Sequence, residues 1–423
     1  MLPLSFIREN KDFIKKRLEK RNFSNINIID QIIELDQKRR SIMLDLETIL
    51  SSSNKINKEI GLSVKSNKKE NIDELKLKSS KFKNDAKKFQ EKLKLIENEL
   101  FSMRTKVPNI PNEIVTQGKS YDDNEKIFES GEIPELKKDS LYHWDLCKKY
   151  DLIDFDLGNK ITGSGFPVYK GKGAKLQRAL IQYFLDKNIK AGYKEYQIPH
   201  VVNETSAFGT GQLPDKDGQM YHVENDKLYL IPTAEVPLTN IFRDKILQLN
   251  ELPIKLTSYS PCFRREAGSY GKNVRGLNRL HQFDKVEIVR IEEPKNAMSA
   301  LDSMVNHIKE ILNELELPYR IIRLCGSDLG FTSALTYDFE VFSAAQKKWL
   351  EISSVSTFNN FQSERLQIRY RDKEGRKNLV YTLNGSSLAL PRVIASLLEN
   401  FQTEKGIKIP NVITSYTGFD FIN

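Results

Sequence analysis

Cys262-Phe263-Arg264-Arg265-Glu266, followed by a glycine-rich loop and then Arg279-Leu280-His281-Gln282-Phe283, is the stretch on which the reading of this chain turns. Side chains alternate along a strand, so Arg264 and Glu266 are expected on one face. The planar fork of arginine suits a phosphate or a carboxylate, and a glutamate accepts from an amino group. Phe283 offers a flat apolar surface on which a purine can stack. Any one of these alone is an ordinary surface pair or core aromatic; their joint spacing points to a nucleotide site.

Outward from this stretch the pattern is mostly strands and turns, at Lys227 to Pro232, Lys285 to Ile291, Arg320 to Leu324, Tyr337 to Phe342 and Leu366 to Tyr370. Helical spacing appears from Ala174 to Ala191, with Gly192 as the stop, and a short strand is expected from Tyr193 to Pro199. Further helices are expected near Ala297 to Leu315 and Leu390 to Phe401. Runs of strands with few helices indicate an α+β fold with an antiparallel sheet. Gly163-x-Gly165 and Gly171-x-Gly173 complete neither G-x-G-x-x-G nor a P-loop and are read as turns.

The N-terminal third is different. Ile72, Leu75, Ser79, Phe82, Ala86, Phe89, Leu93, Ile96, Leu100 and Met103 fall at alternating three- and four-residue steps. So do Ile32, Leu35, Arg39, Ile42, Leu46, Ile49, Ser53, Ile56 and Ile60. Such steps average about 3.5 residues, the seam of a left-handed coiled coil. Neither stretch contains proline, and a polar break from Gly61 to Asn71 separates them, so an antiparallel two-helix coiled coil is expected. At a rise of about 1.5 Å per residue, the strict part of the second helix is roughly 45 Å long and should project as an arm. Lysines lie off its seam, among them Lys76, Lys83, Lys87 and Lys94, interspersed with acids such as Asp85 and Glu91. A solvated face and a phosphate-gripping RNA surface explain them equally well. Val107 to about Pro134 is proline-punctuated and polar, an irregular connection. The expected organisation is an arm over 1–107, a linker over 108–135 and a catalytic domain over 136–423.

The chain of 423 residues is 39% hydrophobic and 9% aromatic, with a net charge of +9, which suggests a polyanionic partner. Its apolar runs are too short to span a bilayer, and the N-terminus has no signal-peptide core, so a soluble cytoplasmic protein without membrane association is expected. The three cysteines, Cys147, Cys262 and Cys325, are scattered and form no Cys-x-x-Cys pair, which argues against disulfides and a zinc site.

Phe-Arg-x-Glu, a loop, then Arg-x-x-x-Phe resembles the second signature of class II aminoacyl-tRNA synthetases. The helix ending at Pro199 resembles the first, which builds the dimer interface in the family, and Leu390-Pro391-Arg392, opening a helix, resembles the third. Within the class the serine-specific branch is most similar, through Phe208-Gly209-Thr210-Gly211-Gln212-Leu213-Pro214, Thr233-Ala234-Glu235, His281 to Glu287, Glu351-Ile352-Ser353-Ser354 and Thr382-Leu383-Asn384-Gly385-Ser386. The resemblance extends over nearly the whole chain. It implies a homodimer that activates L-serine with ATP and loads it onto tRNA(Ser), and onto tRNA(Sec) where that acceptor exists.

The roles it implies are physically sensible. Arg264 would bind the α-phosphate and stabilise charge there, and Arg392 the far phosphates. Glu266 and Phe283 would fix adenine, with Arg265, Ile352 and Ser353 also against ATP. Glu351 and Ser354 offer hard oxygen ligands for Mg²⁺. Thr233, Ala234 and Glu235 would take the serine amino end, with Glu287 and Ser386 near its hydroxyl. The arm lysines Lys76, Lys83, Lys87 and Lys94 would hold tRNA. Departures from the commoner pattern are Ser387, Pro391 and Val355, and the zinc-dependent branch is not expected. The rivals are a class II synthetase for threonine, proline or histidine, a paralogue that loads a carrier protein or has lost catalysis, and a non-enzymatic coiled-coil RNA-binding module. Too little sequence follows Arg392 for the separate anticodon-binding domain that the first rival usually carries.

Overall fold

Both seam series form long helices in the computed structural model, which describes residues 1–65, 72–215, 218–266 and 275–423. Helix α1 is Ile28–Lys65 and α2 is Ile72–Thr105, of 38 and 34 residues. The seam positions are buried or half-buried, while most of the residues between them are exposed. Small residues at Ser53, Ser79 and Ala86 are buried, and Ser79 Oγ donates to Asn57 Oδ1 at 2.8 Å across the seam. Helix α1 continues through Gly61 to Lys65, so the expected break is helical in its first part. Its remainder, 66–71, lies outside the described residues. Lys76, Lys83, Lys87 and Lys94 are all exposed on α2. The base of the hairpin is held by a buried carboxylate, Asp36, which accepts from Arg8 at 2.7 Å and Arg39 at 3.0 Å.

The chain divides into two compact units, 1–19 with 23–108, and 20–22 with 109–423. The second is built on an eight-stranded sheet. In chain order its strands are β1 (Glu125–Ser130), β2 (Lys194–Glu195), β3 (Ile254–Phe263), β4 (Gln282–Glu292), β5 (Tyr319–Arg323), β6 (Leu335–Ser343), β7 (Lys348–Asn359) and β8 (Tyr381–Ala389). Their order across the sheet is β1-β5-β6-β7-β8-β4-β3-β2, antiparallel throughout except the β2–β3 pair. Apolar faces of helices α3 (Gly171–Lys190), α4 (Ala297–Glu314) and α5 (Leu390–Asn400) close one continuous core against it, with Leu180, Phe184, Leu301, Ile308, Val393 and Leu397 buried. Alternation leaves the other face of β4, β6, β7 and β8 free to carry polar groups.

Some expectations change. The stretch read as an irregular connection contributes β1, because Glu125 to Ser130 finds an edge at β5 for its backbone hydrogen bonds. The helix before Pro199 ends at Lys190, and the strand after it shrinks to Lys194–Glu195. Gly171 and Gly173 open α3 instead of forming a turn. Leu366 ends the helix Phe361–Leu366, Gln367 turns the chain in the left-handed region (φ 54°), and the strand is Arg369–Arg371.

Candidate active site

A cleft of about 680 Å³ opens on the polar face of the sheet. Of the residues singled out in the sequence, Thr233, Glu235, Arg264, Glu266, Phe283, Glu351, Ile352, Ser353, Ser354, Ser386 and Arg392 line it. Arg265 does not, being exposed beyond the end of β3, and Ala234 is buried at the start of the helix Glu235–Asn240. Glu287 also lies outside the lining, one layer behind Ser386, whose hydroxyl points at its carboxylate across 3.5 Å.

Arg264 and Glu266 reach the cleft, but not by strand alternation. Strand β3 ends at Phe263; the Arg264 N–H extends the ladder by one bond to the His281 carbonyl, and Glu266 then turns into the left-handed region (φ 48°). That conformation is costly for a side chain other than glycine and persists only where its surroundings hold it. Here the Glu266 N–H donates to Gln219 Oε1 at 3.1 Å, and its carboxylate is paired with Arg279. The guanidinium of Arg264 lies 5.3 Å from the centre of the Phe283 ring, and its Nε donates to the Pro232 carbonyl. One face of Phe283 is therefore covered by a cation. The loop residues 267–274 lie outside the described residues. Behind the returning strand, Gly165 has a positive φ (85°), and a Cβ there would come within 2.2 Å of His281 Cδ2, so only glycine lets its carbonyl accept from the His281 N–H.

Deeper in the cleft is a buried polar web. Lys285, 5% exposed, donates to Thr233 Oγ1 at 2.8 Å and pairs with Glu287 at 2.6 Å. Asn384 Nδ2 bridges both carboxylates, to Glu235 at 3.0 Å and Glu287 at 3.1 Å, and Gln362 donates to Glu235 at 2.6 Å. Burial, reinforced by the Glu287 charge, pushes Glu235 up to about 7. Burial also raises Glu287, against the pull of Lys285. Sequence reading passed over Lys285 and Asn384 as site residues. The period-two rhythm of Phe283, Lys285 and Glu287 was a signal for the first; the second depends on β8 lying beside β4, where Glu287 faces Ser386.

At the far end Arg392 projects from the first turn of α5. Its Nε donates to the Asn278 carbonyl at 3.0 Å and its Nη1 to the Glu351 carbonyl at 2.7 Å. Pro391 sits in that first turn, where no backbone N–H is needed. Ser387 is buried and donates to Asn188 Oδ1 at 2.9 Å, so the hydroxyl at this departure has a partner. Val355 is buried opposite Gly385, filling the core.

Asp338 faces Ser354 in the β6–β7 register, and burial together with the neighbouring Glu351 charge raises it well above the carboxylate range. Its Oδ1 has no hydrogen-bond partner. A buried carboxylate oxygen without a partner, beside a second carboxylate and a hydroxyl, has the donor chemistry of a hard divalent cation, so Glu351, Ser354 and Asp338 fit Mg²⁺. Among the described residues no group of three or more His, Cys, Asp or Glu side chains is arranged to hold a metal, and no helix is long and apolar enough to cross a membrane.

An antiparallel sheet presenting arginines at both ends of a nucleotide-sized cleft, with neither common glycine phosphate cradle, defines a class II aminoacyl-tRNA synthetase core. Residues 220–401 match the family model described as tRNA synthetase class II core domain (G, H, P, S and T), and residues 1–111 match the seryl-tRNA synthetase N-terminal domain. The chain belongs to the seryl-tRNA synthetase family. A serine–tRNA ligase of Salinibacter ruber is 46% identical over 421 residues, covering 99% of this chain and 98% of the relative. The seryl-tRNA synthetase from Pyrococcus horikoshii complexed with ATP superposes with a TM-score of 0.92 at 33% identity, over 100% of this chain and 99% of that one. A Giardia lamblia prolyl-tRNA synthetase, at a TM-score of 0.57 and 19% identity over 65% of this chain and 56% of that one, shares the fold alone.

Proposed function

We propose that the cleft activates L-serine with ATP and passes the seryl group to the 3′ end of tRNA(Ser), and to tRNA(Sec) where present. The observation that carries this reading is the pairing, in one cleft, of Arg264 and Arg392 with the polar groups Glu235, Lys285 and Ser386, the last two backed by the buried Glu287. The arginines suit phosphates. The web suits a small amino acid with an ammonium at one end and a hydroxyl at the other.

In the first step a serine carboxylate oxygen attacks the α-phosphorus, a new P–O bond forms, and the bond to the leaving pyrophosphate breaks. Arg264 stabilises the charge that builds on the α-phosphate, and Arg392 binds the leaving phosphates. Phe283 and Glu266 hold adenine, with the backbone at Ile352 and Ser353 along the same wall. Glu235 and Thr233 accept from the serine ammonium, and Ser386, backed by Glu287, meets its hydroxyl. Alanine would leave those buried groups unpaired, which is the strongest form of rejection available to a small pocket. Mg²⁺ held by Glu351, Ser354 and Asp338 would neutralise phosphate charge. In the second step a ribose hydroxyl of the tRNA attacks the acyl carbon and AMP leaves. No enzyme nucleophile is needed; positioning and charge do the work.

The exposed lysines of α2, Lys76, Lys83, Lys87 and Lys94, would grip the tRNA backbone by charge and shape. The working enzyme on this reading is a cytoplasmic homodimer. Label exchange between pyrophosphate and ATP, run with each of the twenty amino acids, tests the proposal. Exchange confined to serine is expected; exchange with threonine or proline and none with serine would refute it.

A further inference from the structure

The limb that returns from the loop after Glu266 is fastened by contacts that the chemistry above does not use. The Arg275 guanidinium lies 4.9 Å from the centre of the Trp144 ring. Gly276 has a φ of 69°, and a Cβ there would come within 2.3 Å of His143 Nε2. The Leu277 N–H donates to that same Nε2 at 2.9 Å. Asn278 Nδ2 donates to Gln346 Oε1 at 2.9 Å, and the Asn278 carbonyl accepts from Arg392 Nε at 3.0 Å. His143 is fully buried, and its Nδ1 lies 2.6 Å from Glu399 Oε1 on α5. Glu399 also accepts from the His143 N–H at 2.9 Å, from Gln346 Nε2 at 3.0 Å and from the Ser343 hydroxyl.

These contacts decide the state of the ring. A backbone N–H can donate to Nε2 only if that nitrogen keeps its lone pair, so the hydrogen is on Nδ1 and is given to Glu399. Besides the ring, Glu399 receives the His143 N–H, Gln346 Nε2 and the Ser343 hydroxyl, a set of donors that only an acceptor carboxylate satisfies. A histidine serving only to pin its own helix to α5 would need the Glu399 bond and nothing more. Here the second nitrogen is aimed at the backbone of a segment whose next residue touches Arg392.

We propose that His143 is a positioning residue for the nucleotide: held by Glu399, it latches the backbone at Leu277 so that the Asn278 carbonyl fixes the Arg392 guanidinium in the cleft. The inference rests on the reading that Arg392 binds ATP phosphates. It commits to one atom, the Nε2 lone pair, and that makes it separable from packing.

The terminal amide of glutamine reaches the Nε2 position and that of asparagine the Nδ1 position. His143→Gln therefore retains an acceptor for the Leu277 N–H, whereas His143→Asn retains only a donor for Glu399. Loss of one buried hydrogen bond is worth about a factor of ten, so His143→Asn should raise the KM for ATP in pyrophosphate exchange about tenfold. The KM for serine should stay within about threefold, because the serine web is not in this chain of contacts. His143→Gln should recover most of the loss. Gly276→Ala, on the loop itself, should reproduce the Asn variant by driving its methyl into the ring, and it tests the latch if the buried substitutions fold poorly. A second readout needs no substrate. Arg275 is exposed, and trypsin should cut after it faster in His143→Asn and Gly276→Ala than in the wild type or His143→Gln. Equal behaviour of the Asn and Gln variants, or an effect falling equally on serine and ATP, overturns the latch. A wild-type protein with no serine-dependent exchange overturns the functional reading instead, and the proteolysis still decides the latch.

Discussion

Glu235 carries the sharpest residue-scale consequence. Its carboxyl is 5% exposed and, pushed up to about 7 by burial and by Glu287, is largely neutral in the free protein below that pH. On the proposed role of Glu235, the serine ammonium needs the ionised form, so serine binding would expel a proton from Glu235 on the acid side of 7. The KM for serine should therefore fall as pH rises towards about 7 and level off above it, while the KM for ATP does not follow. Calorimetry in buffers of different ionisation heat should detect a released proton at pH 6 and less of it at pH 8. Serine binding that is independent of pH across this range would remove Glu235 from the amino subsite. Much of this site was legible in the sequence as motifs, Arg264 and Phe283 among them. The state of Glu235 was not, because a pKa depends on the dielectric and charges that folding assembles. The conformation of Glu266 was hidden for a similar reason: alternation assumes the strand continues, and β3 stops at Phe263.

At the scale of elements, α3, α4, β3 and β8 meet through one side chain. Asn188 on α3 accepts from His307 on α4 at 2.7 Å and from Ser387 on β8 at 2.9 Å, and donates to Thr257 on β3 at 2.9 Å. Thr257 in turn donates to the Glu287 carbonyl at 2.9 Å, so this joint stands directly behind the buried polar web of the cleft. Burial, with help from the Lys187 and Lys255 charges, lowers His307 from 6.5 to about 4. The unfolded chain takes up this proton below about 6.5 and the folded one only near 4, so stability is full above 6.5 and is lost as pH falls between the two values. The loss approaches about 3 kcal/mol at the acid end. Urea midpoints at pH 7 and pH 5 should show this fall in the wild type, and His307→Gln, which keeps a donor but cannot titrate, should flatten it. An unchanged slope in that variant would assign the acid lability elsewhere. The long amphipathic elements were readable because their period repeats over many residues. The short ones were not: β1 became a strand only because an edge of the sheet was there to pair with it.

For the whole molecule, the division of labour is the question. Every described residue lining the cleft lies at or beyond Gly211, in the second compact unit, whereas Ile28–Lys65 and Ile72–Thr105 belong to the first. Deleting Gly61 to Asn71 with the adjoining helix turns should leave serine-dependent pyrophosphate exchange within about threefold of wild type, since no cleft residue is touched, and should cut tRNA charging by about tenfold or more through lost phosphate contacts. Parallel loss of both steps would make the arm a structural element only. Taken alone, the lysines on α2 fit a solvated face as well as an RNA surface; an enzyme that must choose a tRNA favours the second.

The sequence by itself determined the coiled-coil hairpin, the α+β class and the two arginines, Arg264 and Arg392, that line the cleft. Each rests on local information, namely a seam period of about 3.5, a strand period of two, or a motif within a few residues. Tertiary structure alone decided which polar groups meet. Lys285 reaches Thr233, Asn384 bridges Glu235 and Glu287, and His143 pairs with Glu399 from the other end of the catalytic unit. Those partnerships depend on strand order, register and burial, and burial is what turns ordinary carboxylates and amides into a closely hydrogen-bonded web. A pattern along the chain shows which face a residue takes; only the packed sheet settles what stands opposite it and how little water lies between.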